Sequence, residues 1–311
     1  VMAFLAAARR HGKPVDGHAP GIRGEALRAY IDAGITTDHE VTTLEEARER
    51  IALGMCVLIR EGSAARDSAE LLPLIAESPA ACMFCSDDLH PDDLLRGHID
   101  RQVRAACRQG IDVMRVLRCA CVNPVRHYGL DVGLLRPGDA ADFIEVNNLE
   151  AFQVLSTYLG GQCVARDGES LLPHMPIAPI NAFAAHPCAP SDFAVTPAGS
   201  RMRVITVADR QLLTGMDCRL PVVRGGHAVA DSRRDLLKVV VINRYRPAPP
   251  AVGFVAGIGL RRGAFASSVA HDSHNIVAVG ASEGALCAAV NAVIAMRGGL
   301  AVADGHRVET L

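Results

Sequence analysis

The chain has 311 residues, a formal net charge of −2 at pH 7, 50% hydrophobic residues and 21% charged ones. That size and balance fit a folded protein of about two domains and exclude a disordered one, and the near-neutral charge supplies no attraction for nucleic acid or an anionic membrane. The longest apolar runs, such as 285–296, fall short of the roughly 20 residues a membrane-spanning helix needs.

The chain opens on Val1, without an initiator Met, and runs directly into an amphipathic helical pattern through Arg10. No basic start followed by an apolar run marks a signal peptide, so the first residue reads as an internal point of a longer protein. Four strand-helix units then follow. Strands are predicted over 13–18, 35–40, 56–62 and 81–88. The helices after them are predicted over 24–33, 43–53, 71–76 and 99–109. Thr43 with Glu46 three residues on makes a capping box at the start of the second of these. Serial units of this kind form a parallel sheet with right-handed crossovers. Polar residues cluster at the carboxyl end of each strand: His18, then His39 and Glu40, then Arg60 and Glu61, then Asp87 and Asp88. In a (β/α)8 barrel that end carries the active site. An open doubly wound sheet binds ligand there too, but through a Gly-rich phosphate loop that this sequence does not contain.

Beyond about residue 132 the texture changes to turns and strands, including 152–155, 203–207 and 239–242, with one long helix predicted over 283–297. The change predicts an α+β domain and places the boundary near 150–170. Pro173, Pro176, Pro179, Pro187 and Pro190 mark an irregular linker. Ten cysteines in a chain of this size fit a reducing cytoplasm. Cys82 and Cys85 have a zinc-like spacing but no second pair, so they are expected to line a buried strand.

His18, His39 and Asp87 stand at the ends of the first, second and fourth strands. Imidazole and carboxylate are donors for a divalent metal, and such a metal brings bound water from a pKa of about 16 to about 7. Taken singly, each of these residues is better explained by an ordinary hydrogen bond. Together they point to a catalytic metal site in which Asp87 both binds the metal and takes the proton from the water. The downstream segment His271-Asp272-Ser273-His274-Asn275 reads either as a loop that contributes to binding or as a hydrogen-bonded turn.

Gly17-His18-Ala19-Pro20-Gly21, Asp38-His39-Glu40, Ile59-Arg60-Glu61-Gly62-Ser63, Met83-Phe84-Cys85-Ser86-Asp87-Asp88 and Gly97-His98-Ile99-Asp100 occur in that order. Asn123-Pro124, Tyr128-Gly129-Leu130, Pro137-Gly138-Asp139-Ala140-Ala141-Asp142 and the segment 266–275 continue the series. The set resembles the adenine deaminases of the amidohydrolase superfamily over nearly the whole chain. The resemblance implies an α/β fold with the second half of a (β/α)8 barrel, strands five to eight, over 1–130. It implies a small β element over 131–165 and the family's own α+β domain over 166–311.

The resemblance also implies a binuclear centre of manganese or iron, with zinc as the alternative, and hydrolysis of adenine to hypoxanthine and ammonia. His18, His39 and Asp87 are then the metal ligands. Arg60, Asp88, His271 and His274 are the substrate-binding candidates. The proton donor is open: Asp87 is the first choice, and Glu40 and Glu61 are the others. Glu40 follows His39 directly, and on an extended strand its side chain would point the other way, so it could reach the site only past the strand end. A homo-oligomer in the cytoplasm, acting on a small molecule, completes the implied picture.

The family's strand-one His-x-His pair and strand-four carboxylate find no counterpart here, so little or no deaminase activity is expected of this chain alone. Asn243-Arg244-Tyr245 also departs from the family pattern. Two alternatives stay open: an amidohydrolase acting on a cyclic amide, a cyclic amidine or another aminopurine, and a non-catalytic remnant. The zinc deaminases of polynucleotides are excluded, because H-x-E followed by P-C-x-x-C is absent.

Overall fold

The computed structural model describes residues 2–176, 181–209 and 214–311. Pro179, one of the linker prolines, lies outside the described residues. The chain forms two compact units, 1–175 and 176–311.

In the first unit, helix α1 (Met2–Arg10) leads into β1 (Asp16–Gly17), α2 (Gly24–Asp32), β2 (Thr37–Asp38), α3 (Leu44–Ala52) and β3 (Cys56–Arg60). Two short helices, α4 (Ser68–Leu71) and α5 (Pro73–Glu77), precede β4 (Cys82–Cys85), and α6 (Pro91–Leu94) and α7 (Ile99–Arg108) follow it. The strands β1 to β4 pair in chain order, all parallel. Each strand-helix unit therefore lies beside the next, as the periodic pattern predicts. The apolar side of β3 and β4 (Val57, Ile59, Cys82 and Phe84) closes on Ala47, Leu71, Leu74, Ile75, Val103 and Ala106 from the helices. Cys82 is fully buried and burial pushes its thiol up; Cys85 is pushed up to about 12, first by burial and then by Asp87. Both are inert strand residues, as expected. Thr43 caps α3: its Oγ1 accepts from Glu46 N at 3.3 Å, while Glu46 Oε2 accepts from Thr42 N at 3.3 Å. The return bond of the box thus shifts by one residue.

The helical stretch after α7 has no sequence forerunner. It consists of α8 (Val113–Leu117), a π turn at Arg118–Val122 and α9 (Asn123–Tyr128). Asn123-Pro124 reads locally as a break, yet Pro124 sits in the first turn of α9, where its missing N–H costs nothing. Asn123 Nδ2 donates at 2.7 Å to both Pro79 O and Cys82 O, which ties this stretch to the start of β4. A small antiparallel sheet completes the unit: β5 (Phe143–Val146), β6 (Val154–Leu159), β7 (Gln162–Arg166) and β8 (Glu169–Ser170). The strand predicted at 152–155 begins two residues later, because Phe152 is buried in a left-handed turn at φ 47°.

Among the described residues, the second unit is an eight-stranded sheet with one long helix and a separate hairpin. Its strands are β9 (Met202–Thr206), β10 (Gly215–Arg219), β13 (Leu237–Ile242), β14 (Ala251–Ala256), β15 (Ala264–Ser267), β16 (Ile276–Gly280), β17 (Leu300–Ala303) and β18 (Val308–Thr310); the hairpin is β11 (Val222–Arg224) with β12 (His227–Val229). Helix α10 (Glu283–Met296) lays Leu286, Ala289, Val290 and Val293 over Val240, Ala266, Ile276 and Ala278 of the sheet. Ser282 caps it, its Oγ accepting from Ala285 N at 3.3 Å.

Lys238, fully buried on β13, donates to Phe193 O at 2.7 Å and to Glu283 Oε1 at 2.6 Å. Burial raises the Glu283 pKa, but the bond from Lys238 outweighs it and the net shift is downward. A depressed carboxylate stabilises the fold above its unfolded pKa and loses that contribution as pH falls through its folded value. The variant Glu283→Gln is therefore expected to show a flatter loss of Tm on acidification below about pH 4.5 than the unaltered chain. Thermal melts from pH 7 to pH 3 check this.

Candidate functional site

The site is built at the carboxyl ends of β1 to β4. Gly17 precedes His18, and a Cβ on it would lie 2.1 Å from Thr37 O of the neighbouring strand. Only glycine permits that approach of β1 to β2, and this is the physical content of the Gly-His pair. His18 N then donates to Tyr30 Oη on α2 at 2.8 Å. β2 ends at Asp38, so His39 and Glu40 already lie beyond the strand. Alternation along a strand no longer governs Glu40, and its carboxylate turns toward the imidazoles.

His18, His39 and Glu40 form a group whose ligand atoms all lie within 4.8 Å of one another. His18 Nδ1 is 3.4 Å from Glu40 Oε1, and His39 Nε2 is 3.5 Å from the same oxygen. The ring centroids are 5.5 Å apart. His18 is largely open to solvent, its side chain 70% exposed, whereas Glu40 is 16% exposed.

Arg60 ends β3 and is the hub of the site, with a side chain only 4% exposed. Its Nη1 donates to Glu40 Oε1 at 2.6 Å and to Asp87 Oδ2 at 3.0 Å. Its Nε and Nη2 donate to Asp67 Oδ2 at 3.2 and 3.0 Å. Burial disfavours the guanidinium charge, but the bonds to Glu40 and Asp67 outweigh it and hold the pKa above its ordinary value. Asp87 joins the group through Arg60. It follows β4 in the left-handed region at φ 48°, a conformation Asp tolerates better than most residues.

The remaining candidates make other contacts. Glu61 turns to Ser68 Oγ, which donates to its Oε2. Asp88 O accepts from Ser63 N at 3.0 Å, in a contact that ties the loop after β3 to the loop after β4. Gly62 sits between those loops, where a Cβ would be 2.9 Å from Ser86 O. His271 and His274 belong to the second unit. There His271 Nε2 is 2.7 Å from Asp272 Oδ1, His274 N donates to Ala270 O at 2.5 Å, and Asn275 Oδ1 accepts from Arg244 N at 3.3 Å.

Asp67, Asp38 and Arg50 of the site region have no role assigned by sequence reasoning. Asp67 lies seven residues beyond Arg60 on no shared periodic face, so no local signal points to it. Arg50 did leave a signal: it falls three residues after Ala47 on the buried side of α3, where a charge is out of place unless it is paired.

Residues 1–164 match the model of the amidohydrolase family, and residues 211–311 match that of the adenine deaminase C-terminal domain. The chain belongs to the amidohydrolase family. This amidohydrolase is similar to proteins named adenine deaminase from several organisms. The one from Salinibacter ruber is 54% identical over 99% of this chain and 57% of its own length. The one from Methanosarcina mazei is 49% identical over 99% of this chain and 58% of its own length. The one from Parabacteroides distasonis is 47% identical over 100% and 57%. The chain thus spans little more than half the length of the curated relatives it matches.

Proposed function

We propose that this amidohydrolase contributes the β1–β4 side of a divalent-metal site and that its reaction is the hydrolysis of adenine to hypoxanthine and ammonia. The observation that carries the reading is the convergence of His18 Nδ1 and His39 Nε2 on Glu40 Oε1. Two imidazoles and a carboxylate form a donor set that manganese, iron and zinc all accept. The local composition fits as well: three carboxylates, of Glu40, Asp67 and Asp87, surround the guanidinium of Arg60. The name carried by the relatives supports adenine as the substrate.

In this reading His18, His39 and Glu40 are the donors already gathered, Asp87 is the further ligand candidate that Arg60 holds beside them, and β1 to β4 are strands five to eight of a (β/α)8 barrel. Residues 1–130, 131–165 and 166–311 are its barrel part, small β segment and C-terminal domain. A bound divalent metal would supply a water acidified to a pKa of about 7. Asp87 Oδ2, held by Arg60 Nη1, would be the group that takes up and returns a proton, and Glu40 and Glu61 are the other candidates. Arg60, Asp88, His271 and His274 are the candidates for binding the purine. Ten free cysteines suit a reducing cytoplasm, and among the described residues no helix is long and apolar enough to cross a membrane. Assembly as a homo-oligomer rests on the family resemblance alone.

The test is to strip the chain with EDTA, reload it with Mn2+ or Fe2+, and follow metal content together with ammonia release. Substrates would be adenine, read by ammonia release, and a cyclic amide such as dihydrouracil, read by loss of its ultraviolet absorbance because opening that ring frees no ammonia. Metal uptake lost on chelation is the expected result, with little or no ammonia from this chain alone and ammonia from adenine, not turnover of the cyclic amide, when the rest of the barrel is supplied. Turnover of the cyclic amide and not of adenine would overturn the substrate. Neither metal uptake nor turnover of adenine would place this chain in the non-catalytic class.

A further inference from the structure

We infer that Asp38 and Arg50 are positioning residues that hold the His18 and Glu40 donors in register. This inference rests on the metal-site reading above and deepens it. Both side chains are 0% exposed, and Arg50 Nε donates to Asp38 Oδ2 at 2.6 Å. Neither charge touches the candidate metal group directly. What they touch is the backbone on either side of it. Asp38 Oδ1 accepts from Ala19 N at 3.4 Å and from Glu40 N at 2.9 Å. Arg50 Nη2 donates to Ala19 O at 2.7 Å, and Nη1 donates to Glu46 O on its own helix at 3.3 Å.

Ala19 directly follows His18, and the pair grips both its N–H and its C=O. Glu40 directly follows His39, and the pair grips its N–H. One buried ion pair thus fastens the turn after β1, the turn after β2 and helix α3 to one another. β1 and β2 are only two residues long, so the sheet ladder alone constrains these turns weakly. The backbone bonds from Asp38 and Arg50 supply the missing constraint. They bring His18, which is mostly exposed, to within 3.4 Å of Glu40. Groups that orient metal ligands in this way are worth roughly 10- to 100-fold in metal affinity.

The deciding variant is Arg50→Lys. Lysine keeps the positive charge beside Asp38, but its one nitrogen cannot stand where Nε, Nη1 and Nη2 stand. The double variant D38N/R50Q removes both charges and leaves neither unpaired, which keeps the test alive should R50K fold poorly. Val103→Ala, in the core away from the site, is the control for general destabilisation. Each full chain is titrated with Mn2+, free Mn2+ is read by electron paramagnetic resonance, and Tm is recorded alongside. The apparent Kd for Mn2+ is expected to rise roughly 10- to 100-fold in R50K and in the double variant, and to stay unchanged in V103A. Wild-type affinity in both R50K and the double variant, or an equal loss in V103A, would overturn the positioning role and leave the metal site standing. Absence of Mn2+ uptake by the unaltered chain is a different result: it overturns the metal site, and this inference falls with it.

Discussion

Replacing Arg60 with methionine is expected to destabilise the first unit by about 3 kcal/mol, near the lower end of what breaking a buried ion pair costs. Methionine preserves the apolar stem and removes the guanidinium. Glu40, Asp67 and Asp87 then lose the donors that hold them at 2.6 to 3.2 Å and face one another as like charges. The lower end applies because the three carboxylates keep some water, being 16, 17 and 29% exposed. Urea unfolding at neutral pH reads the effect as a lower midpoint at unchanged slope. A midpoint equal to that of the unaltered chain would mean that the carboxylates are solvated rather than held. The same substitution removes the guanidinium charge from the site, so it acts on the fold and on cation binding in opposite directions. Measuring both separates the electrostatic role of Arg60 from its packing.

His39→Ala is the complementary case, with a large effect on binding and a small one on the apo fold. The imidazole is 22% exposed and stands 3.5 Å from Glu40 Oε1. Orienting groups around a metal already account for up to about 100-fold in affinity, so loss of a ligand should cost at least roughly that much. Linkage turns this into a thermal readout. With free Mn2+ at about 100 times the wild-type Kd, binding stabilises the folded chain by about 2.7 kcal/mol. If the affinity drops 100-fold, the same Mn2+ contributes only about 0.4 kcal/mol. The unaltered chain should therefore gain Tm on adding Mn2+, and H39A should barely respond. An equal response in the two would remove His39 from the ligand set.

How much of this was legible beforehand depends on the range over which each feature is encoded. The four strand-helix units follow from local periodicity, and the placement of His18, His39, Arg60 and Asp87 at or just beyond strand ends follows from the same reading. Helices α8 and α9 were not legible, because Asn123-Pro124 signals a break unless its contacts with Pro79 and Cys82 are known. β6 was misjudged at its start, since burial of Phe152 in a left-handed turn is a tertiary choice. Strand alternation allows Glu40 to reach the imidazoles only past the strand end, and β2 does end two residues before it.

Sequence alone determined the order of the strand-helix units, the family to which the chain belongs, and the residue types that stand at the mouths of the first strands. These are properties of short segments, where hydrophobic period and glycine placement leave few options. Tertiary structure decided which of those residues meet. Glu40 joins the imidazoles, Arg60 gathers Glu40, Asp67 and Asp87, and Asp38 locks onto Arg50. Each such contact joins residues from different turns or elements, and its strength depends on exclusion of water. A linear pattern does not encode that exclusion; the packing of helices over the sheet creates it.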